Sequence, residues 1–412
     1  VNANRWWRIA SRLTGFGLIP ALSIASTVIL LPLVAHRFGP GGWSAVSVGS
    51  SVGAYVGVLV GLSWPIVGSH LVAESAPSIR RSIYINSLRS RGLVFILVIA
   101  PALVLSLLLT SGTGYGLPAM LVTLAVGLNG FTAAWFFSGS NRPWALVRNE
   151  ALTRFVTYAL IIAVLAIGAP FWMYGVLLSA SGIAMLIFNQ VTILGWKRAG
   201  ESVRDVGPTR LRDHWNGATA RLSNSAFSTL TPVLFAASGA PGLHIFTAYD
   251  QVQKAAGNAL GVVPQAFVSY VSGQVDWASR KRRLRSVVVG AAILAVAILA
   301  CCLTLGGTVI EALYRGEVSP LWVQVTLAGV VVTSQFFAQF LQQVVLVPLG
   351  QVGHSYVVMS VVSIVAVAVF LLAVGSGGVT GGLLVVAAAS LLTVLLYSAL
   401  ALSGMFSMCK GS

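Results

Sequence analysis

Charged residues are scarce. Only 8% of the 412 residues are Asp, Glu, Lys or Arg, and only nine residues are acidic. A soluble domain carries about 25% charged residues, so an ordinary water-facing surface is excluded. Few carboxylates also leave little material for paired acid/base catalysis. Glu311 and Glu317 share one expected outer loop, but no neighbouring histidine completes a catalytic set. The five histidines, at 36, 70, 214, 244 and 354, are too scattered for metal-ligand spacing. Of three cysteines, Cys301 and Cys302 are adjacent in an apolar run and Cys409 lies near the end. They offer neither a disulfide framework nor a metal motif and read as small packing residues. No cofactor is implied. The run Thr113-Gly114-Tyr115-Gly116 looks like a fragment of a potassium filter, but without a pore helix it reads as a loop turn.

What is abundant is apolar. Hydrophobic residues make up 57% of the chain and the mean hydropathy is +0.89, which describes an all-α polytopic membrane protein. Apolar stretches fall near 14–35, 43–64, 92–110, 117–138, 150–168, 172–195, 217–237, 244–275, 286–306, 321–347, 354–374 and 379–404. These predict about twelve transmembrane helices of about twenty residues each, with no room for a separate soluble domain. The opening VNANRWWRIASR is basic and leads into an apolar segment too long for a signal-peptide core. It reads as a retained first span.

The net charge of +16 does not form a nucleic-acid-binding face, because the basic residues fall between apolar spans. Arg5, Arg8 and Arg12 precede the first span; Arg80, Arg81, Arg89 and Arg91 follow the second; Arg142 and Arg148 follow the fourth. Lys197, Arg198, Arg204, Arg210 and Arg212 follow the sixth, and Arg280, Lys281, Arg282, Arg283 and Arg285 the eighth. The opposite loops hold essentially Arg37 and Arg315. The positive-inside rule then puts both termini in the cytoplasm, and the loop arginines also suit anionic membrane lipids.

The longest polar interruption, 196–216, separates an N-terminal six-helix lobe, 1–195, from a C-terminal one, 217–412. At an offset of 200 the halves show a faint repeat: Pro32 and Pro232, Gly39 and Gly239, Gly42 and Gly242, Gly57 and Gly257, Gly61 and Gly261. Repeats with an even number of spans are related by a pseudo-two-fold axis along the membrane normal, with a substrate site expected between them. Under this alignment Ser47, Ser50, Ser51 and Ala54 match Thr247, Asp250, Gln251 and Lys254. Gly49, Gly53, Gly57 and Gly61, spaced four apart, predict a smooth ridge for close helix packing.

The stretch 244–267 is long enough to span, yet Thr247, Asp250, Gln251, Lys254, Asn258 and Gln265 recur along it at helical spacing. With residue 244 at one interface, a rise of about 1.5 Å per residue puts Lys254 roughly 15 Å deep in a core about 30 Å thick. Asp250 and Lys254 form an i, i+4 pair in the favourable order. Two readings stand: mutual neutralisation inside a bundle, or a lysine held by Asp250 until an anionic ligand or a proton releases it. Arg221 can assist a phosphate or snorkel to headgroups. Further polar lines, Arg221, Asn224 or Ser225, Ser228 and Thr231 on one span and Gln335, Gln339 and Gln342 on another, suit either interhelical bonds or the hydroxyls of a sugar.

The segment Trp135-Phe136-Phe137-Ser138-Gly139, with Arg148-Asn149 and Arg154, resembles a pattern of Wzx-type polysaccharide flippases of the multidrug/oligosaccharidyl-lipid/polysaccharide exporter superfamily. Leu31-Pro32-Leu33, Gly39-Pro40 and Gly61-Leu62-Ser63 are similar to that family's opening helix pair; Ala248-Tyr249-Asp250, Lys254 and Pro264-Gln265-Ala266 are similar to its eighth helix. Gln251 stands where the family often has a base. The resemblance implies a two-lobed carrier of the bacterial cytoplasmic membrane that moves an undecaprenyl-pyrophosphate-linked oligosaccharide by alternating access. It works as a monomer, without enzymatic chemistry, and a proton or sodium ion is the implied coupling ion. Asp250, Lys254, Arg221, Gln251, Asn258, Asn224, Ser228, Gln335 and Gln339 are its candidate cavity residues, and Arg142, Arg148 and Arg154 its candidate cytoplasmic entrance. The competing expectations are a small-molecule or drug/proton antiporter of the same superfamily and a membrane glycan polymerase or acyltransferase.

Overall fold

Glycines decide where the longest helices turn. In a computed structural model, α1 runs from Ala3 to Gly61 and α12 from Val352 to Lys410, 59 residues each. A straight helix of that length would measure about 88 Å, nearly three times a bilayer core. Each is broken once, at Gly39 (φ 59°) and Gly378 (φ 53°), a left-handed conformation open to glycine because it lacks Cβ. Gly239, the repeat partner of Gly39, also has positive φ, 66°, so the two repeat positions share a backbone turn. The backbone is described at 3–195, 225, 227, 229–261, 263–264, 267, 277–314 and 316–410; side chains at 3–29, 31, 66, 70, 277–281, 352 and 405–410 are not described. The expected linker 196–216 lies outside the described residues.

The chain forms two compact units, Val1–Val233 and Leu234–Ser412. In the first, α1 is followed by α2 (Ser69–Glu74), α3 (Pro77–Thr110), α4 (Gly116–Gly127), the short α5 (Ala134–Gly139) and α6 (Pro143–Leu146), then α7 (Leu152–Ala166) and α8 (Trp172–Leu194). The second unit contains α9 (Leu243–Leu260), α10 (Trp277–Leu313), α11 (Trp322–Phe340) and α12. Among the described residues, eight helical stretches are long and apolar enough to cross a membrane. One of them, Gly353–Gly404, has 52 residues and contains the Gly378 break. Helix α9 is not among the eight, because its polar stripe lowers its hydropathy. Large apolar side chains such as Ile96, 72% exposed, cover the outside; only hydrocarbon solvent tolerates so much of them. This is an all-α, multi-pass membrane protein.

The core of the first unit is α4, packed against α1, α3 and α8. The glycine ridge explains the approach. A Cβ on Gly49 would stand 2.5 Å from the Ala119 carbonyl oxygen and one on Gly53 2.7 Å from that of Thr123. The hydroxyl of Thr123 donates to the Gly49 carbonyl at 3.1 Å, tying the two backbones together where no side chain intervenes. In the second unit α11 packs against α9, α10 and α12. Phe246 on α9 stacks on Phe235 at 4.7 Å and meets Phe370 edge-on at 5.6 Å.

Candidate functional site

Helix α9 starts after a turn in which Gly239 and Gly242 both have positive φ, and its last turn closes with the Gly261 N–H donating to the Gly257 carbonyl. Its buried face is Phe246, Thr247, Asp250 and Gln253, at spacings of one, three and four residues along one side of a helix. The Nζ of Lys254 lies 2.7 Å from Oδ2 of Asp250; the carboxylate side chain is 6% exposed and the lysine 35%. The acid is therefore sunk into the unit, and the lysine side chain is partly exposed. One turn further, Gly257 and Gly261 leave gaps filled from α11. A Cβ on Gly257 would stand 3.9 Å from Oε1 of Gln335, and one on Gly261 3.4 Å from the amide of Gln339. Helix α11 thus presents Gln335 and Gln339 to α9 at Gly257 and Gly261, C-terminal to the ion pair.

Gln342 donates to the Ser355 hydroxyl at 3.3 Å, an interhelical bond. Gln251 is half-buried and Asn258 exposed. Gln253 went unnoticed in the sequence because it falls off the expected stripe; it is buried, and its Nε2 has no hydrogen-bond partner among the described residues. Arg221, Asn224, Ser228 and Gln265 lie outside the described residues.

The first unit holds a second polar cluster, which the sequence reading did not anticipate. A π turn at Val147–Ala151 buries Asn149, Glu150 and Ala151 in succession. Glu150, 4% exposed, accepts from the Thr132 hydroxyl at 2.6 Å, the Ala133 N–H at 2.8 Å and Asn189 at 3.0 Å. Asn149 donates to Thr192 at 2.9 Å. Glu150 and Asp250 are thus both deeply buried acids. Arg91 also departs from its expected place among the loop arginines. Helix α3 already begins at Pro77, so Arg91 is helical and faces inward, 1% exposed. It donates to the carbonyls of Gly130 (3.2 Å) and Thr132 (3.0 Å) and to the Ser87 hydroxyl (2.8 Å), and it lies over Phe131 and Trp135. The motif Trp135-Phe136-Phe137 is itself core, packed with Trp64 and Tyr84. Of the entrance candidates, Arg142 and Arg148 are exposed. Arg148 donates to Thr192 at 3.3 Å, whereas Arg154 donates to Asn129 at 3.0 Å.

Among the described residues no three His, Cys, Asp or Glu side chains gather for a metal, and Cys301 and Cys302 are free. The Asp250–Lys254 site supplies instead a cation at the edge of a polar patch, suited to holding an anion and hydroxyls.

No protein-family model matches the chain, and no curated protein matches it. Solved structures do. A eukaryotic MATE transporter, AtDTX14, superposes with a TM-score of 0.60 at 12% identity, covering 96% of each chain. The lipid II flippase MurJ in an inward closed conformation gives 0.61 at 12% identity, over 94% of this chain and 86% of that one. An inward-facing multidrug resistance MATE family transporter of the MOP superfamily gives 0.52 at 14%, over 95% of each. The chain therefore has, over nearly its whole length, the fold of the MOP-superfamily transporters.

Proposed function

We propose that this chain is a transporter that carries an undecaprenyl-pyrophosphate-linked oligosaccharide across the bacterial cytoplasmic membrane. It works by alternating access as a two-lobed monomer with both termini in the cytoplasm. The observation that carries the reading is the partly exposed Lys254, paired with a buried Asp250, with Gln335 and Gln339 set against Gly257 and Gly261 further along the same helix. A pyrophosphate needs a cation that can exchange its carboxylate partner for the ligand, and sugar hydroxyls need amides that both donate and accept. The likeness to a lipid II flippase supports the same chemistry. A proton or sodium ion drives the cycle, and Asp250 is placed to take up a proton when the ligand takes the lysine.

The test is a deletion strain with no redundant flippase. Lipid-linked repeat units should accumulate on the inner face, and normal presentation outside would refute the proposal. A second reading, a drug/proton antiporter, draws on the likeness to a multidrug MATE transporter. Vesicles with purified protein that exchange a cationic drug for protons, without any lipid-linked sugar, would favour it.

A further inference from the structure

Helices α7 and α8 enclose a groove of about 640 Å³ within the first unit. On α7 its wall runs from Arg148, in the π turn just before the helix, to Leu160. Twelve residues at about 1.5 Å each give a length of about 18 Å, close to one leaflet of a core about 30 Å thick. On α8 the small Ala180 and Ala184 form the hollow, with Phe188 toward the Arg148 end and Leu177 at the far end. The hydroxyls of Thr153 and Thr157 are spent on their own helix, donating to the Asn149 and Thr153 carbonyls at 2.9 Å each; beyond the mouth Ser181 is the one other polar residue of the lining, and the wall is mostly apolar. Charge enters at one end alone. There Arg148 is held across the mouth by bonds to Asn149 at 3.2 Å and Thr192 at 3.3 Å, which use two of the five guanidinium donors.

We infer that this groove is a binding site for one anionic phospholipid, with an acyl chain along α7 and α8 and its phosphate on Arg148. Shape argues against a protein occupant. The groove's walls are two helices of one unit joined at the Arg148 end by the Arg148–Thr192 bond, a slot with small residues at its floor rather than a broad face. Charge complementarity argues for the sign of the headgroup. A mostly apolar slot about one leaflet long with a single guanidinium at one end matches a lipid with a buried chain and an anionic head. The site is independent of what the protein carries.

The test uses the full-length protein in nanodiscs containing phosphatidylglycerol or phosphatidylcholine with a photoreactive acyl chain, the labelled residues being mapped by mass spectrometry. Labelling on 152–160 and 177–188 should favour phosphatidylglycerol by about fivefold, the worth of one basic residue near an anionic surface. Arg148→Gln should bring the two lipids to parity, Arg148→Lys should keep a preference, and Ala184→Trp should reduce labelling by both lipids. Melting temperatures report whether each variant is folded. Equal labelling of wild type by both lipids, labelling confined to other helices, or a crosslink to a second copy of the chain across the groove would each overturn the assignment.

Discussion

The segments Ser47–Gly57 and Thr247–Gly257 hold matching positions in the 200-residue repeat, yet they perform different work. In the first unit Ser47 and Ser51 are buried, and a Cβ on Gly57 would meet the backbone of Gly130 at 3.5 Å. In the second, Asp250 and Lys254 form an ion pair and Gly257 faces a glutamine side chain. Small residues in one unit bring backbone against backbone; the same helical places in the other carry polar side chains. The charged clusters differ in the same sense. Arg91 donates several hydrogen bonds to backbone and side-chain oxygens, and Glu150 accepts several; both are buried, whereas Lys254 is 35% exposed. A buried charge bonded on every side rigidifies, and a partly exposed one can change partners.

The largest expected effect probes the closed cluster. Arg91→Ala strips the Thr132 and Gly130 carbonyls of a donor and removes the guanidinium charge felt by the buried Glu150, which should cost about 3–5 kcal/mol. Folded yield and melting in detergent would show it, and unchanged melting would break the claim that the first unit uses its charges structurally. Lys254→Ala should do the reverse. Lys254 is 35% exposed, so its loss should cost less stability than that of the buried Arg91, but loss of a charged hydrogen-bond donor to a phosphate should weaken binding by about ten- to a hundredfold. Ligand titration alongside melting separates the two, and a loss of folding without a change in affinity per folded molecule would make the pair structural.

The glycines sharpen the contrast next. Gly53→Ala forces a Cβ to 2.7 Å from the Thr123 carbonyl oxygen and should cost about 1–3 kcal/mol through overpacking. Gly257→Ala, with its nearest neighbour 3.9 Å away, should leave melting unchanged or raise it by the helix propensity of alanine, up to about 1 kcal/mol. Equal effects would remove the distinction between the two contacts. The smallest change is Gln339→Leu, which should weaken glycan binding by about 1 kcal/mol, one neutral hydrogen bond, as read by titration with a lipid-linked sugar.

Much of the α9 cluster was legible because α9 is a regular helix: Asp250, Lys254, Gly257 and Gly261 recur at three and four residues. The polar cluster of the first unit was not. The π turn at Val147–Ala151 breaks the 3.6-residue period, so three successive residues turn inward and Glu150 looks like a loop acid in the sequence. Arg91 was hidden for a related reason: a run of arginines after an apolar span reads as a loop, although α3 begins fourteen residues earlier, at Pro77. Gln253 lies one position off the stripe, and only the helices packed on α9 make its face a buried one.

Composition by itself determined the membrane, because 57% hydrophobic and 8% charged residues leave no aqueous surface to build. The order of apolar runs and glycine breaks then determined an all-helical chain with turns at Gly39 and Gly239. Tertiary structure alone decided which charges are buried and which are partly exposed. That choice depends on the carbonyls, hydroxyls and amides that helices distant in sequence bring within hydrogen-bonding reach.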